Sequence, residues 1–173
     1  SLTSRASSSL LVHLLRPKYF TSLRTEQQLG YVVTAIQAEY ENQGGVGFVI
    51  QSPVASARTL VDRTTQFLDR QREALTSLEE EAFSEAKAGL IAEILEKDKN
   101  LGSRAGRYWS DLDEGILTFD GREQIAKAIE VLSRVELMTF FEQVAGKIND
   151  RPLFIWSQGK FAASEGEAEA APA

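Results

Sequence analysis

The order of apolar and polar positions sets the elements first. Leu10, Leu11, Leu14 and Leu15 form a stripe at helical spacing, and Pro17 is expected to end or kink that helix. Gly30 to Tyr40 is rich in Val, Ile, Thr and Tyr and reads as a strand. Residues 41–45, Glu-Asn-Gln-Gly-Gly, read as a turn, and Val46 to Ser52 as a second strand closed by Pro53. The period then changes from two to that of a helix. Leu60, Val61, Phe67, Leu68, Ala74 and Leu75 recur every seven residues along one amphipathic helix.

Further helices follow, each with its own start signal. Ser77 with Glu80, Asp120 with Glu123, and Ser133 with Glu136 have capping-box spacing, in which two side chains satisfy the first backbone N–H groups reciprocally. Asn100 is placed to cap the helix carrying Leu101, Ala105, Tyr108 and Leu112. Gly146 suits the end of the last helix, and Leu153 to Trp156 reads as a short strand. The layout is α+β: a small antiparallel sheet with several helices packed on one face. Three strands make a meagre sheet, so strands from upstream are expected to belong to it and residues 1–159 to be a domain truncated at its N-terminal side. Residues 160–173 lack large apolar groups and are expected to form a disordered acidic tail.

Composition narrows the possible functions. Net charge is −6, which argues against nucleic acid as a partner, because binding phosphates needs a basic surface. There is no cysteine, so disulfides and thiolate metal sites are excluded. No apolar run approaches the roughly 18 residues of a membrane span. His13, the single histidine, stands among leucines on a helix and reads as structural or solvated. The glutamates Glu79 to Glu81, Glu93 and Glu96 have no histidine partners and read as helix starts and solvated faces.

One segment, Leu23 to Val33, goes beyond what a fold requires. Arg24 offers five N–H donors and a permanent charge, suited to a peptide carbonyl or carboxylate. Tyr31 offers a phenolic donor on a rigid arm, able to hydrogen-bond an oxyanion that develops during acyl transfer. Gly30 permits close backbone approach. Gln28 can hydrogen-bond the local backbone, and both read as support for Arg24 and Tyr31. Taken singly, each has a plainer reading: an Arg at a helix end as a solvated charge, and a Tyr at a strand start as core or rim.

Taken together, Leu23, Arg24, Thr25, Gln28, Leu29, Gly30, Tyr31 and Val33 match an LRT-x-x-QLGY-V run. That string resembles the signature in the last domain of the pitrilysin/insulinase (insulin-degrading enzyme-like) zinc metallopeptidase family. Tyr19-Phe20, Gly47-Phe48, Ile50-Gln51-Ser52, Glu80 to Phe83, Tyr108-Trp109 and Phe119-Asp120 agree with it in order. The resemblance implies a C-terminal, zinc-free domain of a zinc metalloendopeptidase. Zinc is then expected in the N-terminal half of the parent, on an inverted H-x-x-E-H helix that this chain lacks. The chain alone is expected not to cleave peptides, and it holds no metal ligand or cofactor of its own. Arg24 and Tyr31 would bind substrate in a chamber closed by the two halves, with Tyr31 stabilising the oxyanion. The implied partners are the zinc-bearing half of the same polypeptide and peptide substrates, with no nucleic acid and no membrane. A metal-free structural or interaction subunit is the alternative, and a helical adaptor a third. The residues leave the compartment open; the resemblance leans to the periplasm over the cytoplasm.

Overall fold

The computed structural model describes residues 1–40, 43–150 and 153–157. Helix α1 (Leu2–Phe20) runs into a π-helical turn (Thr21–Glu26), then strands β1 (Val32–Tyr40) and β2 (Gln43–Gln51). Five helices follow: α2 (Ala57–Thr76), α3 (Glu80–Ile94), α4 (Leu101–Asp113), α5 (Gly121–Val131) and α6 (Arg134–Asp150). The α+β layout with helices against a small antiparallel sheet is as expected.

The long α1 is the centre of the molecule. Leu10, Leu11, Leu15, Tyr19 and, just beyond, Leu23 are fully buried. They meet Phe67 and Leu68 of α2, Phe83 of α3, Ile129 of α5 and Phe141 of α6 in one core. Pro17 does not end the helix; it lies inside it. A proline there forfeits one backbone hydrogen bond and crowds the preceding turn, a cost of about 3 kcal/mol. Burial of a Leu or Phe side chain contributes about 1.5–3 kcal/mol each. Tyr19 and Leu23, both beyond the proline, therefore outweigh that cost.

The hairpin pairs Val32 with Gln51 through to Tyr40 with Gln43. Val33 and Ala35 face the helices and are buried, while Val32, Ile36, Tyr40 and Val49 remain exposed. Phe48 packs against Tyr19, ring centroids 4.9 Å apart. The glycines expected in a turn belong to β2. A Cβ on Gly44 would lie 2.4 Å from the Ser4 carbonyl oxygen. Gly44 thus serves close approach of strand to helix, and its N–H donates to Ser4 Oγ at 3.0 Å. Residues 41 and 42 of the expected turn lie outside the described residues, as does the expected tail at 160–173.

The start signals had mixed outcomes. Ser133 and Glu136 form the reciprocal box: Ser133 N–H donates to Glu136 Oε2 at 2.9 Å, and Glu136 N–H to Ser133 Oγ at 3.2 Å. Asn100 Oδ1 accepts from Ser103 N–H at 2.9 Å. Ser77 instead ends α2, its hydroxyl donating to the Glu73 carbonyl at 3.0 Å, and α3 begins after Glu79. Asp120 precedes α5 but accepts from Thr118 and Gln124 side chains, and Glu123 pairs with Arg122 Nε at 2.9 Å. Gly146 lies within α6, because Ala145 and Ile148 around it pack on the core and carry the helix onward. Leu153 to Trp156 is not a strand: no edge among the described residues pairs with it, and Leu153 and Ile155 are exposed. The sheet therefore has two strands among the described residues. None of the described helices is long and apolar enough to cross a membrane.

Candidate functional site

The Leu23–Val33 segment leaves α1 through the π-turn. Gln27 N–H reaches back to the Ser22 carbonyl at 3.1 Å, five residues away, and Leu29 N–H to that of Leu23 at 2.9 Å. Between them Gln28 takes φ 52°, the left-handed region that reverses the chain. Gln28 thus supports the site through its backbone, and its side chain is exposed. The chain then meets the end of β2. Tyr31 N–H donates to the Gln51 carbonyl at 3.1 Å. A Cβ on Gly30 would stand 2.6 Å from that same oxygen and 3.1 Å from Ile50 Cγ2, so only glycine fits without a shift.

Arg24 and Tyr31 are brought together, but not side chain to side chain. Nη1 of Arg24 donates to the Tyr31 carbonyl oxygen. Its guanidinium also lies over the Phe20 ring, 5.4 Å from the centroid. Tyr31 is consequently fixed by its backbone at both N–H and C=O, and its side chain is 54% exposed. A fixed backbone with an exposed phenol is suited to presenting a donor to something outside the domain. Phe20 and Gln51 are parts of this arrangement that the sequence did not mark as site residues. The pairing of the two strands was the signal for Gln51, since it ends β2 opposite Val32, the residue after Tyr31.

Beside the π-turn lies an open cavity of about 650 Å³. Lys18, Ser22, Glu26, Arg63, Arg70 and Gln71 line it; Arg24 and Tyr31 do not.

A zinc ion does not fit the described residues. His13 is half-exposed between α1 and α3, its Nδ1 3.6 Å from Glu93 Oε2. Among the described residues no three His, Cys, Asp or Glu side chains converge as metal ligands. The whole sequence adds no second histidine and no cysteine.

Comparison with known proteins bears on the same stretch. Residues 10–109 match the family described as PQQ synthase PqqF-like, C-terminal lobe domain 4. Protease 3 of Escherichia coli K12 is 33% identical over 141 residues, 82% of this chain and 15% of the relative. Insulin-degrading enzyme-like 1, peroxisomal, of Arabidopsis thaliana is 33% identical over 124 residues, 72% of this chain and 13% of the relative. The crystal structure of pitrilysin superposes with a TM-score of 0.77 at 32% identity, over 84% of this chain and 16% of that one. The chain thus spans about 15% of the length of these relatives. Sequence and three-dimensional likeness converge on one lobe of one kind of peptidase, and the chain belongs to the pitrilysin/insulinase family as a C-terminal-lobe domain.

Proposed function

We propose that this domain forms part of the substrate chamber of a zinc metalloendopeptidase and supplies contacts to the peptide and its transition state. The zinc in this reading belongs to the N-terminal half of the same polypeptide, since no donor set among the described residues suits it. The chain alone is then not a peptidase; the parent is. Tyr31 carries the reading. Its backbone is held by Arg24 and Gln51 while its phenol is exposed, the combination a preorganised oxyanion donor needs. Arg24 has further N–H donors for a substrate carbonyl once one is spent on Tyr31. Gly30 and Gln28 support both through the backbone. The same reading favours the periplasm over the cytoplasm.

A metal-free structural or interaction subunit draws on a different observation: the guanidinium of Arg24 is already engaged inside the domain, on Tyr31 and Phe20. Tyr31→Phe in the parent enzyme separates the two. The chamber reading expects kcat to fall by about 10²–10³ with zinc content intact. Unchanged turnover removes the oxyanion role.

A further inference from the structure

We propose that the cavity beside the π-turn is a subsite for an acidic segment of a peptide. The inference rests on the reading of this domain as peptide-binding, but it uses other residues. In a chain of net charge −6, three cations, Lys18, Arg63 and Arg70, line this one cavity. None of the three has a carboxylate within ion-pair distance among the described residues, whereas Arg5, Arg72, Arg107 and Arg122 all do. Arg70 Nη2 and Gln27 Nε2 both donate to Ser22 Oγ, each at 3.2 Å. The hydroxyl proton of Ser22 has no acceptor among the described residues, so it adds a neutral donor beside the three charges. Arg63 is engaged only weakly, at 3.4 Å from Gln66 Oε1.

The cavity also carries acceptors, and these select the ligand. Glu26 lines it without an ion-pair partner among the described residues. Gln71 lines it with a buried Oε1 that accepts no hydrogen bond among the described residues. A bare anion such as phosphate would meet the cations but face Glu26 and leave Gln71 unsatisfied. A peptide brings carboxylates for Lys18, Arg63 and Arg70 together with backbone N–H groups for Glu26 and Gln71. A volume of about 650 Å³ admits a few residues of such a chain.

Fluorescence anisotropy on the 173-residue chain tests this. The probe is a labelled short peptide rich in glutamate, against the same peptide with glutamine. The glutamate peptide should bind more tightly, and added salt should weaken it. Arg63→Ala with Arg70→Ala should weaken it at least about tenfold, since charge-assisted hydrogen bonds to the carboxylates are lost. Both side chains are exposed, so the melting temperature should hold. Glu26→Gln keeps an acceptor for a backbone N–H but removes a negative charge from the lining, so the preference for the glutamate peptide over the glutamine peptide should widen. Equal affinity for both peptides, or no loss in the double variant, overturns the proposal. Displacement of the peptide by inorganic phosphate at comparable concentration overturns it too, leaving a simple anion site. Turnover of the Tyr31→Phe parent tests the chamber separately, so either reading can fail while the other stands.

Discussion

Arg24 and Tyr31 are tied by a hydrogen bond from guanidinium to main-chain carbonyl, seven positions along the chain. The bond spans the junction where a π-turn becomes a strand. It makes the arginine, proposed above as a substrate contact, also the clamp that holds the tyrosine. Its planar fork lies over Phe20 while donating to Tyr31, a combination that depends on guanidinium geometry.

Arg24→Lys tests the clamp. Lysine keeps the charge but offers a flexible point donor in place of the planar fork. Amide hydrogen exchange at Tyr31 should accelerate in the variant, since the residue is then held only by the bond from its own N–H to Gln51. In the assembled peptidase kcat should fall about tenfold or more, the equivalent of one hydrogen bond to a charged group at about 1.5–3 kcal/mol. Unaltered exchange at Tyr31 would show that the clamp does not restrain it.

Gly30→Ala should lower the melting temperature. The added methyl meets the Gln51 carbonyl oxygen at 2.6 Å, a main-chain atom that cannot swing away. Overpacking of this kind costs about 1–3 kcal/mol. The backbone of Gly30 is not in the left-handed region, so the cost is contact and not conformation. Gly146→Ala is the opposite case. It lies inside α6, and nothing stands within 4 Å of its added Cβ. There the helix preference of alanine should raise stability by up to about 1 kcal/mol. Calorimetry on the two variants should therefore show shifts of opposite sign.

The contrast between these glycines shows what the sequence could and could not reveal. Period and residue type located every described helix and both strands, because amphipathic burial dominates those segments. The order Arg24, Gly30, Tyr31 marked a candidate site by residue type, while the local roles of Gly30 against Gln51 and of Arg24 on the Tyr31 carbonyl needed the fold to be seen. Pro17 misled, since the apolar residues beyond it, Tyr19 and Leu23, are worth more buried than the broken hydrogen bond. Gly44 misled because a glycine in a turn and a glycine beneath a helix look alike until Ser4 is seen against it. Ser77 misled because a hydroxyl can end one helix as readily as begin the next. The π-turn has no local signature.

The Ser133–Glu136 box should give the fold a small acid-sensitive element. Donation from the Ser133 hydroxyl, and then from its N–H, holds the Glu136 carboxyl below the ordinary value of 4.5. A depressed folded pKa means the ionised form is favoured by folding. Its stabilisation is present above the ordinary value and is lost as pH falls from there through the lowered one. Glu136→Gln should flatten that part of the stability profile between neutral and acid pH. An unchanged acid slope in denaturant titrations would show that the cap does not contribute in solution.

Tyr19 should control the alkaline limit. Its phenol is buried in the core and bonds Thr64 Oγ1 at 2.9 Å. Thr64 already donates to the Leu60 carbonyl at 2.8 Å, so Tyr19 is the donor to Thr64 and must keep its proton. Burial drives its pKa well above the ordinary 10.0, against a smaller lowering by the Thr64 bond. Above pH 10 the unfolded phenol ionises while the folded one does not. The native state then binds more protons, and stability falls as pH rises through that window. Tyr19→Phe removes the ionisation. At neutral pH it should cost about 1 kcal/mol for the lost hydrogen bond, while above pH 10 the gap to the parent chain should close and then reverse. Denaturant melts at neutral and alkaline pH measure this directly. If both chains lose stability in parallel above pH 10, the buried phenol is not the group responsible.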